Sequence, residues 1–195
     1  MSVVTVVDYG RGNLFSLSRA LEHLGATPVV TSDPAAVASA ERLILPGVGA
    51  FGDGMDNLRA RGLVEPVKAY AKTGRPLLGI CLGMQLLLEE SDEFGRHEGL
   101  GIVPGKVTRF ADSPERRWKV PHVGWSKTTL GPDRMYFVHS YHCVPAQAAH
   151  RLAETEYAGT KFCSALKAGP VTGYQFHPEK SGEGGLCLLK EWLKS

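Results

Sequence analysis

Over the first 90 positions, short continuous apolar runs alternate with stretches in which apolar residues recur at helical spacing. Residues 2–8 are a β-branched run that predicts a strand, and the turn Tyr9-Gly10-Arg11-Gly12-Asn13 follows it. Leu14, Leu17, Leu21 and Leu24 then share one helical face, with Gly25 as the stop. Thr27–Thr31 reads as a second strand, Asp33-Pro34 opens a short helix to Ala40, and 42–46 reads as a third strand. The glycine-bearing stretch 47–54 predicts a loop, followed by one long helix to about Thr73 that Gly74 ends. Residues 76–80 form a buried strand and 82–90 a helix, with Leu82, Gln85, Leu86 and Glu89 at helical spacing. Such alternation predicts a parallel sheet with helices on both faces.

Beyond residue 100 the pattern changes. Strand-like runs at 107–110, 135–141, 152–157, 162–167 and 171–176 follow one another with little helix between them, and a closing helix spans about 184–194. The expected fold is therefore α/β, a mostly parallel central sheet extended by antiparallel strands at one end. No repeat, low-complexity tract or linker divides the chain, so one domain covering 1–195 is expected.

Composition narrows the function classes. The 22 basic and 20 acidic residues leave a net charge of +2, spread along the chain, which gives no footprint for nucleic acid or an anionic membrane. No apolar run approaches the length of a membrane span, and the first residues lack the basic start of a secretion signal. Cys81, Cys143, Cys163 and Cys187 are scattered without CxxC pairing, which argues against zinc and against a disulfide framework. A cytoplasmic protein with reduced thiols is expected.

One stretch carries candidate chemistry. Gly79-Ile80-Cys81-Leu82-Gly83 joins the strand 76–80 directly to a helix with no polar turn residue between them. Such a reversal strains the residue at its tip, and flanking glycines remove side chains that would collide there. Cys81 reads either as a small core residue or as a nucleophile at an elbow. A nucleophilic thiol needs a base and a group to orient it. Of seven histidines, His23 and His97 read as surface residues and His150 follows a polar connection. His139 and His142 are at odd spacing on an expected strand, which would place them on opposite faces. His177 ends the strand 171–176 and is followed by Pro178 and Glu179, so an extended chain would turn imidazole and carboxylate to one side. Together with the elbow, this favours a Cys81-His177-Glu179 triad.

Gly47-Val48-Gly49-Ala50-Phe51-Gly52 also matches the G-x-G-x-x-G dinucleotide pattern. It follows the third strand rather than the first, Pro46 precedes it, and Gly54 prolongs the expected loop. Presenting backbone N–H groups to an oxyanion beside Cys81 is the better use for it.

With these residues in place, "GICLGMQ" and "QFHPE" resemble the class I, triad-type glutamine amidotransferases, which implies a flavodoxin-like fold. "VVDYGRGNLFSLSRALEHLG", "LPGVGAFGDGM", "PHVGW", "YFVHSYH" and "GYQFHPEKSG" extend the likeness over nearly the whole chain, toward the glutaminase subunits of imidazole glycerol phosphate synthase. The resemblance implies attack of Cys81 on the glutamine side-chain amide, His177 as base and acid, and Glu179 orienting it. It implies Val48 and Leu82 as oxyanion amides, and Gly49, Gln85, Glu93, Ser140 and Tyr141 around the glutamine head group. Asn13, Trp125 and Lys180 match positions facing a partner, a TIM-barrel cyclase that receives ammonia in a heterodimer. No metal or organic cofactor is implied. Ser126 stands where asparagine is common after PHVGW, and Cys143 after FVHSYH is a second departure. Trp125 can be a core residue or an exposed anchor. A related glutaminase serving another synthase and a catalytically idle binding module remain alternatives.

Overall fold

The computed structural model describes residues 2–111 and 118–195. The first half runs β1 (Val3–Val7), α1 (Leu14–His23), β2 (Thr27–Thr31), α2 (Pro34–Ser39), β3 (Leu43–Leu45), α3 (Phe51–Ala60), α4 (Val64–Ala71), β4 (Leu77–Ile80) and α5 (Leu82–Leu86). The second half runs β5 (Glu90–Ser91), β6 (His97–Glu98), β7 (Gly105–Arg109), β8 (His122–Lys127), β9 (Arg134–His139) and β10 (Tyr141–Pro145). It closes with β11 (Arg151–Tyr157), β12 (Thr160–Ala168), β13 (Val171–Tyr174) and α6 (Gly182–Leu193).

Among the described residues, one sheet has the order β2-β1-β3-β4-β13-β12-β10-β7-β5-β6, with β11 added on β12. The strands β2, β1, β3, β4 and β13 are mutually parallel. From β12 to β7 the pairing is antiparallel, as expected for the second half. β8 and β9 form a separate antiparallel pair.

Two apolar layers sandwich the parallel half because successive strand residues point to opposite faces. Leu43 and Leu45 of β3 join one layer and Ile44 the other; in β4, Leu77 opposes Leu78 and Ile80. Leu17, Ala20 and Leu21 of α1 cover one face with Leu189 and Trp192 of α6. Val37, Met55, Leu58, Val67 and Leu86 of α2 to α5 cover the other. Each fully buried leucine here contributes about 1.5–3 kcal/mol relative to exposure. Among the described residues, no helix is long and apolar enough to cross a membrane.

Three expected elements are corrected. The long helix after the glycine-rich stretch is two helices, α3 and α4. Gly62 at φ +65° ends α3, with Gly62 N–H donating to the Arg59 carbonyl and Leu63 N–H to that of Leu58. This paired capping closes the helix at a glycine whose conformation other residues avoid. α3 also begins at Phe51, so Gly52 and Gly54 are helical rather than loop. They permit close packing: a Cβ on Gly54 would lie 3.1 Å from Leu82, and one on Gly52 2.7 Å from the His97 ring. His97 is thus half-buried in β6 rather than a free surface residue.

The helix after Cys81 stops at Leu86 instead of running to 90, because residues 99–103 take its carbonyls. Leu100 N–H donates to Leu86, Ile102 and Val103 to Leu87, and Gly101 to Leu88. The run 135–141 is two strands that part at Ser140. The break places His139 and His142 together, both against the Phe110 ring with centroids at 5.3 and 4.7 Å, not on opposite faces.

Candidate active site

Parallel strands deliver their carboxyl ends to one edge of the sheet, where ligands of such folds bind. The neighbours β1, β3, β4 and β13 therefore present, side by side, the segments 8–13, 46–50, Cys81 and 175–179. Sequence separation of about a hundred residues between Cys81 and His177 is closed by the β4–β13 pairing, in which Tyr174 stands beside Ile80.

Cys81 takes φ +53°, ψ −110°, one of three non-glycine residues described with positive φ. Cys81 N–H donates to the Tyr174 carbonyl at 2.7 Å, and its own carbonyl receives Gln85 N–H at 3.2 Å. The elbow is thus tied to β13 on one side and to α5 on the other. The glycines around it are needed for space. A Cβ on Gly83 would stand 1.8 Å from the Leu45 carbonyl oxygen, and one on Gly79 2.8 Å from that of Gly83. Backbone cannot give way as a side chain can, so Gly83→Ala is expected to lose about 3 kcal/mol or more of stability. Urea unfolding of the purified variant measures it; a midpoint within error of the parent would refute this account of the elbow.

His177 lies beside the thiol. Its backbone N–H donates to the Tyr136 carbonyl at 2.9 Å, and its carbonyl accepts from the Ser181 hydroxyl at 2.6 Å. The ring is buried, with Nδ1 2.8 Å from Glu179 Oε1. Burial alone would lower the imidazole pKa, but the Cys81 sulfur and the Glu179 carboxylate outweigh it and raise it to about 10. The structure therefore brings together the three residues expected to act together. The local conformation differs from expectation: Pro178–Lys180 is a 3-10 turn, opened by Pro178, rather than extended chain. Curling brings the carboxylate back to the ring as well as extension would.

A cavity of about 300 Å³ opens at Cys81, lined by Val48, Gly49, Leu82, Gln85, Glu93, Pro121, Val138, His139, Ser140 and Tyr141. All five residues expected at a head group line it, as do the two expected oxyanion residues. Glu93 Oε2 accepts the Phe51 N–H at 2.6 Å, at the start of α3, and burial raises the carboxyl pKa against the pull of that bond. Leu82 N–H, however, donates to the Gly47 carbonyl at 3.3 Å. That carbonyl occupies the amide in this conformation. Gly49 at φ +106° adjoins this peptide.

The positions expected to face a partner lie at the same edge. Asn13 caps α1 by accepting Ser16 N–H and borders a void of about 10 Å³ with Gly47, His177 and Glu179. Lys180 is exposed directly after the Pro178-Glu179 turn. Trp125 is 49% exposed, which excludes the core alternative. β8 and β9 place Val123 opposite Val138 and Trp125 opposite Tyr136, forming an outward apolar strip. β8 itself was not expected from the sequence, since Pro121 stands directly before it and Gly124 interrupts its pattern.

Inward from that strip, His122 and His139 meet at 3.2 Å, and His139 Nδ1 donates to the Tyr141 carbonyl at 2.8 Å. Burial lowers the pKa of both rings, to about 4 and about 3, so both are neutral near pH 7. Sequence reading also passed over Gln175, fully buried two residues before His177; only its place in the quoted "QFHPE" hinted at it. Among the described residues, no group of His, Cys, Asp and Glu could hold a metal ion.

The chain is similar to known proteins over nearly its whole length. The glutamine amidotransferase class-I family profile matches residues 5–193. The imidazole glycerol phosphate synthase subunit HisH of Syntrophotalea carbinolica is 46% identical over 97% of this chain and 98% of its own. HisH 1 of Legionella pneumophila is 42% identical over the full length of both, and HisH of Sulfurimonas denitrificans 44% over 98% of both. Among solved structures, a glutamine amidotransferase superposes with TM-score 0.77 at 19% identity, covering 98% of this chain and 99% of that one. PurLQS from Thermotoga maritima gives 0.75, also at 19% identity, over 99% and 98%. These likenesses in fold and sequence meet on one family: the chain belongs to the class I glutamine amidotransferases, among the HisH subunits of imidazole glycerol phosphate synthase.

Proposed function

We propose that this chain, as one unit over residues 1–195, is the glutaminase subunit of an imidazole glycerol phosphate synthase in histidine biosynthesis. It hydrolyses glutamine and passes the ammonia to a TIM-barrel cyclase. The observation that carries this reading is the buried His177–Glu179 pair at 2.8 Å, set beside a strained Cys81 at the mouth of a 300 Å³ cavity.

The steps follow from the groups present. His177, whose raised pKa lets it hold the proton given up by the thiol, pairs as imidazolium with the Cys81 sulfur, which attacks the side-chain amide carbon of glutamine. The resulting oxyanion collapses to a thioester as His177 returns the proton to the leaving nitrogen, releasing ammonia. Water, deprotonated by His177, then attacks the thioester, and glutamate leaves with the thiol restored. Glu179 holds Nδ1–H and stabilises the imidazolium in both halves. Glu93 offers a carboxylate to the α-ammonium of glutamine, and Gly49, Gln85, Ser140 and Tyr141 complete the head-group contacts. Gln85 uses Nε2 for the Tyr141 carbonyl and Gln175, which leaves Oε1 to accept from substrate.

Val48 and Leu82 N–H groups serve the oxyanion once the Gly47–Val48 peptide turns, releasing Leu82 from the Gly47 carbonyl and swinging Val48 N–H inward. The closed arrangement restrains hydrolysis in the free chain, where ammonia would be lost to water as ammonium. The partner docks on Asn13, Trp125 and Lys180, of which Asn13 borders the same void as Gly47, whose peptide must turn. A chain of this kind works in the cytoplasm.

Glutamate release is expected to be weak from the isolated chain and to rise about 100-fold or more with the cyclase and its nucleotide ligand, the typical worth of one oxyanion donor. Trp125→Ala should weaken association while leaving circular dichroism unchanged. Full activity without the partner would refute the restrained resting state, and an unfolded Trp125→Ala would refute the anchor.

A further inference from the structure

Gln175 lies just past β13 with no exposed surface, its backbone N–H held by the Ser164 carbonyl at 3.0 Å. Its side chain sits between two groups of the site: 3.1 Å from Gln85 Nε2 and 3.9 Å from Cys81 Sγ. Which end of the carboxamide faces the sulfur decides what it can do there, and the neighbouring bonds settle it. Gln85 also reaches the Tyr141 carbonyl, at 2.9 Å. A carbonyl only accepts, so the Gln85 atom is the amide nitrogen. That nitrogen then needs an acceptor in Gln175, which is Oε1. The Gln175 NH₂ group therefore points at Cys81; turning it over would set two donors against each other.

The same sense runs further out. The Tyr141 carbonyl also accepts from His139 Nδ1, leaving His139 Nε2 to accept from His122 Nδ1 and His122 Nε2 to accept from the Ser126 hydroxyl. A fixed carbonyl at the centre thus holds two donor chains in register. One of them ends on the nucleophile.

We propose that Gln175 supports the Cys81 thiolate by donating Nε2–H to the sulfur from a carboxamide whose orientation Gln85 and Tyr141 enforce. This rests on the nucleophile role given to Cys81 above. At 3.9 Å the contact is weak toward a neutral thiol. It strengthens as the proton passes to His177 and charge appears on the sulfur, because charge-assisted hydrogen bonds are shorter and stronger. The gain therefore favours the ionised, nucleophilic sulfur over the protonated thiol, and it is readable in the free chain as a lower pH of ionisation.

Other groups facing the sulfur do not do this work. His177 takes the proton, the Tyr9 hydroxyl is committed to the Pro46 carbonyl at 2.7 Å, and Cys143 is a buried thiol that burial keeps protonated.

The test is the pH profile of Cys81 alkylation by iodoacetamide in the isolated chain, read by mass spectrometry of the Cys81 peptide. Gln175→Met keeps the volume and removes the donor. Its profile is expected to move up by about one pH unit, with about tenfold slower alkylation at pH 7. Gln85→Met releases the carboxamide without removing it, and should move the profile in the same direction by less. The double variant should move it no further than Gln175→Met alone, since the second change acts only through the first. A merely structural Gln175 would lower the melting temperature and leave the profile in place, and a superimposable profile in folded Gln175→Met overturns the proposal. If that variant does not fold, Gln85→Met decides, and an unmoved profile there overturns it equally. None of these readings needs glutaminase activity. A wild-type complex unable to hydrolyse glutamine would sink the proposed function separately.

Discussion

Cys81→Ala in the assembled enzyme is expected to lower glutamine-dependent synthesis by about 10³-fold or more, while synthesis from added ammonia continues at the parent rate. In the proposed mechanism only the first reaction needs a sulfur at the elbow; the second begins after ammonia has been released. Truncating a side chain with little exposed surface, in a position whose strain is borne by the backbone, leaves the fold in place. The three other cysteines are poor substitutes. Cys143 and Cys163 are buried thiols whose pKa burial raises, the latter to about 12, and Cys187 is exposed on α6, away from the triad edge. An electrophilic glutamine analogue should accordingly label Cys81 alone, as peptide mass mapping would reveal. Normal glutamate release from Cys81→Ala, or label on another cysteine, would end the triad reading.

His177→Asn is expected to be nearly as damaging as loss of the thiol, because residues acting as one unit do not lose activity additively. General acid and base work by such a group is worth roughly 10²–10⁴-fold, and the proposed mechanism uses His177 in both halves of the reaction. Glu179→Gln should cost about tenfold less, since the amide oxygen still accepts Nδ1–H but carries no charge. The pH dependence adds a signed test. The Glu179 carboxylate is among the groups that raise the His177 pKa against burial. Removing it lowers that pKa, so the alkaline limb of the kcat/KM profile should move to lower pH in Glu179→Gln. Steady-state kinetics with the cyclase present measure both effects. A glutamate variant worse than the histidine variant, or an alkaline limb that moves upward, would reverse the roles given to these residues.

Much of the parallel half could be read from the chain because local rules govern it. The β-branched run at β1, the leucines of α1, Asp33-Pro34 at the start of α2 and the glycine-flanked Cys81 each announce themselves within a few residues. Misreadings fell where long-range bonds compete with local preference. The apolar run after Cys81 has helical spacing, yet residues 99–103 claim its carbonyls and end α5 at Leu86. Gly52 and Gly54 look like loop residues, yet they sit inside α3 because α5 and His97 press against it. Gly62 was a stop signal within reach, since glycine adopts its positive φ without cost.

The sequence by itself determined which groups are available for the proposed chemistry: a thiol between glycines, an imidazole two residues from a carboxylate, and strands that alternate with helices. These depend on residue identity and short spacing, which a linear chain carries in full. Only the tertiary structure decided that β4 and β13 are neighbours, so that Cys81 and His177 meet. It also decided that Trp125 faces outward on β8, that the Gly47 carbonyl occupies Leu82 N–H, and that Gln175 turns its amide toward the sulfur. Each of these outcomes is a competition among partners far apart in the chain for one donor, one acceptor or one packed surface. Such competitions are settled by which groups the fold brings within hydrogen-bond or van der Waals reach, and local spacing carries no record of that.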